Sequence, residues 1–317
     1  MIGAEALKSV KPTVRIINAA RGGIVDEAAL ADAIREGRVA GAGIDVFAKE
    51  PCTDSPLFEF EQVVVTPHLG ASTDEAQEKA GIAVAKSVRL ALAGELVPDA
   101  VNVQGGVLAP MVKPYLPLAE KLGRIAAALT DTPVTRIDVE VYGALSTEDV
   151  RVLELSALKG AFESLVEDPV SYVNAPLLAT ERGVETGLTT SPDSDDHRSM
   201  IRVVASTTAG TRISIAGTIA GSRDVEKLVE IDGVELEITL ADHLAIFRYH
   251  DRPGVVGIVG RLLGEAHLNI DSMQVGREKN GEHALIALTV DQSIPAQTAE
   301  KIAHEIGAHL GRKVDLD

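Results

Sequence analysis

The sequence predicts an α/β protein in three parts: a portion of a doubly wound parallel sheet, an α+β domain, and a small βαββαβ unit. Three observations carry this expectation. Short apolar strands alternate with helical stretches over the first hundred residues, as in parallel βαβ units. From residue 134 onward, strands alternate apolar with charged side chains, the habit of antiparallel strands with one solvated face. After residue 243, strand and helix patterns follow one another as βαββαβ.

Taken in order, Ala4 to Val10 reads as a short helix stopped by Pro12, and Val14 to Asn18 as a β-branched strand. Ala19-Ala20-Arg21-Gly22-Gly23 is a tight loop, Asp26 an N-cap, and Glu27 to Glu36 a helix ended by Gly37. Gly41 to Val46 and Val63 to Thr66 are two further buried strands, and Thr73 to Ala93 a long helix. Residues 95–101 read as a linker. Helices are expected over Tyr115–Leu129, Val150–Glu167 and Asn174–Arg182. Strands are expected over Val134–Tyr142, Ser199–Ser206, Arg212–Thr218 and Val234–Leu240. The last segment reads strand Leu244–Tyr249, helix Val255–Glu265, strands Ile270–Arg277 and His283–Val290, helix Thr298–His309 and strand Lys313–Leu316. That order is ferredoxin-like. The predicted divisions are 1–72, 73–101 (connecting helix and linker), 102–240 and 241–317.

Composition excludes several classes. The 317 residues are 45% apolar and 24% charged, with a net charge of −17, as expected of a globular chain of two or three domains. Trp is absent and aromatics are 3%, which argues against stacking on single-stranded nucleic acid. No segment is basic, so binding to a phosphate backbone by counterion release is disfavoured. Cys52 is the one cysteine; a disulfide framework and a thiolate metal site are excluded. Lys8, Lys11 and Arg15 interrupt the first residues, so no signal peptide is read there, and no uncharged run is long enough to span a bilayer. A cytoplasmic protein is the expectation.

Arg21 after the first strand, Asp45 near the end of the second and His68 after the third lie where a doubly wound sheet places its chemistry, at the carboxyl ends of the strands. Arg21, Glu50 and His68 have the types needed for hydride transfer from a 2-hydroxy acid. An arginine holds a carboxylate bidentately, a histidine moves the hydroxyl proton, and a carboxylate beside the histidine fixes its tautomer and stabilises its charged form. From residue types alone, ordinary surface residues are the simpler reading. The loop contexts change that. Asn18-Ala19-Ala20-Arg21-Gly22-Gly23-Ile24-Val25-Asp26, Gly43-Ile44-Asp45-Val46-Phe47-Ala48-Lys49-Glu50-Pro51 and Thr66-Pro67-His68-Leu69-Gly70-Ala71-Ser72-Thr73 resemble, in order and spacing, three signatures of the D-isomer-specific 2-hydroxyacid dehydrogenases.

The resemblance implies a Rossmann-like first part that binds NAD, with Arg21, Glu50 and His68 catalytic. It implies that Ala19, Ala20, Arg21, Asp45, His68, Gly70 and Ala71 lie against the cofactor, Asp45 at the nicotinamide. With an intervening domain and an ACT domain following, the chain is similar to the long-type members. They imply oxidation of 3-phosphoglycerate at the head of serine synthesis, serine as effector, and a homo-oligomer held by the ACT and intervening domains. The Gly-rich phosphate turn is not found at a strand-to-helix junction, so the chain is expected to be the later part of a longer pattern, lacking dehydrogenase turnover by itself. The alternative is a non-catalytic amino-acid-binding regulatory protein with a vestigial nucleotide lobe. By resemblance to ACT domains, Tyr249, Asp251 and Asn269 would hold an amino acid between paired copies; otherwise Asp251 caps its helix and Asn269 ends a turn. Lys227 matches a basic residue of an anion site in some relatives, but Glu235 and Thr239 replace its companions. His197 reads as a solvated loop residue. His304 and His309, expected on one helix, have a spacing of five, unsuited to a helical metal pair, and no metal is expected.

Overall fold

The computed structural model describes residues 1–101, 108–167, 169–194, 196–279 and 281–316. They form two compact units, Met1–Val88 and Arg89–Asp317.

The first unit holds α1 (Ala4–Lys8), β1 (Arg15–Asn18), α2 (Glu27–Arg35), β2 (Gly41–Ile44), β3 (Val63–Val65) and most of α3 (Asp74–Leu92). The strands are parallel in the order β1-β2-β3, with Ile17 beside Gly43 and Ile44 beside Val65. The Asp26 carboxylate accepts from the Ala29 N–H at 3.0 Å and caps α2, satisfying one of the orphan donors of its first turn. Leu7, Leu30, Ile34, Ile44 and Leu57 make the core. The cover is one-sided: Ile17 and Val64 are 72% and 66% exposed, and α3 buries no residue.

In the second unit, α4 (Tyr115–Ala128) and α5 (Arg151–Glu163) pack against a six-stranded sheet. Its strands are β4 (Val134–Gly143), β5 (Glu185–Ser191), β6 (Ser199–Thr207), β7 (Arg212–Ala220), β8 (Val225–Ile231) and β9 (Val234–Thr239); a short α6 (Ala175–Glu181) precedes β5. The order is β5-β4-β6-β7-β8-β9, antiparallel except for the parallel pair β4–β5. Two of these strands were not expected from the sequence. β5 is a polar edge strand with no buried residue. β8 carries Glu226, Lys227 and Glu230, whose charges are absorbed by Lys121, Glu237 and Arg202 from other elements. α5 also stops at Glu163, four residues before the expected end.

The chain continues through β10 (His243–His250), α7 (Val255–Glu265), β11 (Ile270–Arg277), β12 (His283–Val290), α8 (Ala296–Ile306) and β13 (Ala308–Asp315). This βαββαβ unit forms an antiparallel sheet in the order β11-β12-β10-β13. Alternation sorts β10 onto two faces. Ala245, Phe247 and Tyr249 join Val259, Leu263 and Ile302 of the helices, while Leu244 and Ile246 join the core of the six-stranded domain. The two domains therefore share a core. One expectation is corrected: the last helix ends at Ile306, where Gly307 turns left-handed at φ 68°. His309 thus lies on β13, not on the helix with His304, and its ring centroid is 4.9 Å from His283 and 6.3 Å from His250.

Candidate active site

Each of the three parallel strands delivers polar residues at its carboxyl end, as a doubly wound sheet does. At the end of β1, Asn18 is buried and shapes the next loop from both sides. Its Oδ1 accepts from the Ala20 N–H at 3.2 Å and its Nδ2 donates to the Arg21 carbonyl at 3.0 Å. Arg21 itself is exposed, and its Nη1 donates to the Ala20 carbonyl at 2.7 Å.

Asp45 follows β2 and is buried. It organises the loop that carries the histidine. The Thr66 hydroxyl and the Leu69 and Gly70 N–H groups donate to its carboxylate, the latter two at 2.7 and 2.8 Å. The His68 N–H donates to the Asp45 carbonyl at 2.8 Å. The Thr66 hydroxyl foremost, with the two backbone donors, holds the Asp45 carboxyl below the ordinary carboxylate range. The carboxylate is thus charged at neutral pH and fixed in place.

His68 sits in the left-handed region at φ 59°, uncommon for a residue with a side chain. Its Nδ1 lies 2.8 Å from Oε2 of Glu50. The other Glu50 oxygen accepts from the Phe47 N–H at 2.9 Å. The hydrogen bond from His68, followed by that from Phe47, holds the Glu50 carboxyl below its ordinary value. A carboxylate at Nδ1 orients an imidazole so that Nε2 faces the reactant. Phe47, Glu50, Cys52, Phe58, Thr66 and His68 border a cleft of about 370 Å³. A second cleft of about 360 Å³ has Asn18, Ala19, Gly43, Asp45, Leu69 and Gly70 among its walls. Asp45 and Thr66 border both.

The expected residues therefore divide. Glu50 and His68 meet directly; Asp45, Ala19 and Gly70 line the second cleft; Arg21, Ala20 and Ala71 line neither. Sequence reasoning passed over three positioning residues: Asn18, Thr66, and Glu27, whose carboxylate accepts from the Ala48 N–H at 2.7 Å. For Asn18 and Thr66 the available signal was a polar side chain standing directly at the end of a parallel strand; Glu27, the first residue of α2, carried no such signal.

The second candidate set lies in the four-stranded unit. Tyr249 is 2% exposed, with its side chain in the core; it is a packing residue in this chain. Asp251 does not cap α7, whose N-cap is Gly254 with no side-chain bond. Its carboxylate accepts instead from Nε of Arg277 at 2.6 Å. Asn269 donates from Nδ2 to Asp291 at 2.7 Å and from its backbone at 3.0 Å. Arg277 and Asn269 flank opposite ends of β11, roughly 26 Å apart at about 3.3 Å per residue. Asp251 and Asn269 of one chain do not converge on one small molecule. Among the described residues no group of His, Cys, Asp and Glu is arranged to hold a metal ion, and no helix is long and apolar enough to cross a membrane.

Three family models match the chain in succession. Residues 1–70 match the D-isomer specific 2-hydroxyacid dehydrogenase NAD binding domain, residues 111–232 the D-3-phosphoglycerate dehydrogenase intervening domain, and residues 243–304 the ACT domain. A D-3-phosphoglycerate dehydrogenase of Mycobacterium leprae is 51% identical over 316 residues, covering 100% of this chain and 60% of that protein. One of Methanocaldococcus jannaschii is 36% identical over 95% of this chain and 57% of its own length. The chain thus spans about three fifths of the length of these relatives. Among solved structures, a D-isomer specific 2-hydroxyacid dehydrogenase from Xanthobacter autotrophicus Py2, in complex with NADPH and MES, is 40% identical over 30% of this chain and 39% of that one, with a TM-score of 0.28.

Proposed function

We propose that this chain, a member of the D-isomer specific 2-hydroxyacid dehydrogenase family, supplies the acid/base part of an NAD-dependent enzyme that oxidises D-3-phosphoglycerate to 3-phosphohydroxypyruvate. The observation that carries this reading is the assembled Glu50–His68 pair at 2.8 Å, beside a buried carboxylate on the neighbouring strand end. The names and the matched length of the relatives support the substrate.

The residues fit a nicotinamide in the second cleft. A Cβ on Gly70 would come within 3.0 Å of Oδ2 of Asp45 and 3.8 Å of the Ala19 Cβ, so glycine keeps this wall open. A carboxylate offers about four acceptor sites; three protein donors reach Asp45, which leaves one for a carboxamide N–H. When bound, the nicotinamide supplies the hydride acceptor. Arg21 takes the substrate carboxylate, turning its guanidinium from the Ala20 carbonyl. As the hydride leaves C2, Nε2 of His68 accepts the hydroxyl proton and the C–O single bond becomes the carbonyl. Glu50, ionised throughout, stabilises the imidazolium so formed. Reduction runs the same proton back.

The reading extends to the rest of the chain in four further proposals. The division 1–72, 73–101, 102–240 and 241–317 marks the nucleotide-binding part, connection, intervening domain and ACT domain. Serine, the pathway product, is the effector. The protein is a homo-oligomer joined through the ACT and intervening domains, because Asp251 and Asn269 close on one ligand only when they come from facing copies. It works in the cytoplasm.

The test joins this chain, in family order, to the part of the Mycobacterium leprae relative outside the matched region. The fused protein is expected to form NADH from NAD and D-3-phosphoglycerate. Failure to transfer hydride to or from any 2-hydroxy or 2-oxo acid, in a folded fusion, would overturn the reading.

A further inference from the structure

We propose that Glu27, the first residue of α2, is a positioning residue for the acid/base pair: it braces the loop that carries Glu50 and so holds the Glu50 carboxylate on His68. This rests on the function proposed above and adds to it a residue that lines neither cleft.

The Glu50 loop leaves the core soon after β2. Val46 and Phe47 are buried, whereas Ala48, Lys49 and Glu50 are exposed, so packing does not fix the last three. Two carboxylates do. Oε1 of Glu27 accepts from the Ala48 N–H at 2.7 Å, and Oε1 of Glu50 accepts from the Phe47 N–H at 2.9 Å. The other Glu50 oxygen lies 2.8 Å from Nδ1 of His68. The peptide that joins Phe47 to Ala48 is gripped at its carbonyl as well. A Cβ on Gly22 would overlap the Phe47 carbonyl oxygen and lie 2.8 Å from the Ala48 nitrogen. The Arg21–Gly22 turn therefore sits directly on that peptide, while Glu27 holds its N–H.

A chain of contacts thus runs from the start of α2 to the imidazole: Glu27, the Phe47–Ala48 peptide, the Phe47 N–H, Glu50 and His68. An exposed loop held by side-chain acceptors shifts when one of them is removed, and a displacement of about 1 Å at a reacting group can cost about 10²-fold in rate. Helix α2 does not need Glu27 for its own start, because Asp26 caps it through the Ala29 N–H. A carboxylate in the first turn also complements the helix dipole, and side-chain length separates the two roles. Glutamine keeps an acceptor oxygen at the same reach without the charge. Aspartate keeps the charge but is one methylene too short for Ala48.

The experiment has two arms. In the whole 317-residue protein, nitrogen NMR of the histidine side chains reads the tautomer of neutral His68. Wild type is expected to hold its proton on Nδ1, facing Glu50. Glu27→Ala and Glu27→Asp are expected to shift the population toward Nε2–H, and Glu27→Gln to stay close to wild type. In the fused enzyme, Glu27→Ala and Glu27→Asp are expected to lower kcat by roughly tenfold. The KM for NAD is expected to stay within about twofold, because the Asp45 cleft is untouched. Glu27→Gln is expected to recover kcat to within about threefold of wild type, since the hydrogen bond survives. In a Glu50→Gln background, Glu27→Ala is expected to change kcat by less than about twofold, because the brace acts only through Glu50. Circular dichroism of each variant checks that the fold is kept. Glu27→Ala with the tautomer and kcat of wild type, or Glu27→Gln falling as far as Glu27→Ala, would overturn the brace and leave the proposed function standing. A wild-type fusion that transfers no hydride would overturn that function, and the tautomer series in the unfused protein would still decide the brace.

Discussion

The two units of this molecule carry apolar side chains in opposite ways. In Arg89–Asp317, α4 buries nine of its fourteen residues, and its contact with α5 is so close that a Cβ on Gly160 would lie 1.9 Å from the Glu120 carbonyl oxygen. In Met1–Val88, one side of the sheet is equally well packed, but Ile17, Val64 and Val84 are 72%, 66% and 61% exposed. Ile17 and Val64 both register with Gly43 on the strand between them, so that side of the sheet is apolar and uncovered. The proposed acid/base site lies in the half-covered unit, and the more completely buried core lies in the other. A strand-end site needs local hydrogen bonds such as those on Asp45, and these hold without a complete core.

Several measurements can break or sharpen this contrast. Leu122 is fully buried in α4, and Leu122→Ala is expected to destabilise the closed unit by about 2–5 kcal/mol in denaturant melts. Gly160→Ala forces α4 and α5 apart, at about 1–3 kcal/mol, read in the same way. Asp26→Ala removes the cap of α2 and is expected to cost about 1 kcal/mol, confined to the transition of the first unit. Val64→Ala, on the bare face, is expected to stay within about 0.5 kcal/mol; a loss comparable to that of Leu122→Ala would mean that this face is covered in solution and would end the contrast.

The smallest expected effect is a pH dependence. Burial first, then the neighbouring His283, Arg248 and His250, lowers the affinity of His309 for a proton, with Glu278 acting in the opposite sense. In the folded state His309 therefore stays neutral where the unfolded chain binds a proton. Stability is present above the ordinary imidazole value of 6.5 and declines as pH falls below it. His309→Gln is expected to flatten the fall in melting temperature between about pH 7 and pH 5.5, and an unchanged slope would remove His309 as its source.

How far the sequence discloses this molecule depends on the kind of signal. Parallel strands such as Val63–Val65 and the βαββαβ order stood out, because apolar runs and periodicity are local properties. The strand Val225–Ile231 did not, since the partners of Glu226, Lys227 and Glu230 come from distant elements. The last helix was read three residues too long, because polar alternation in Ala308–Asp315 looks the same in a helix tail and in a half-exposed strand until Gly307 is weighed as a stop. Within the candidate site, the loop contexts picked out Glu50 and His68, which meet, and Asp45, which lines both clefts; Arg21 was read with them but lines neither. The structure adds what spacing cannot encode: Asp45 anchors the His68 loop, Asn18 shapes the Arg21 loop, and Asp251 is engaged by Arg277 from the far end of β11.

The central claim is that Glu50 and His68 act as one acid/base. It is tested most directly in the fused enzyme by the pH dependence of turnover in His68→Ala and Glu50→Gln. His68→Ala is expected to lower kcat by roughly 10²–10⁴-fold. Glu50→Gln, which withdraws the carboxylate that stabilises the imidazolium, is expected to move the acidic limb of the profile to lower pH. Wild-type turnover and an unshifted profile in both variants would contradict the account.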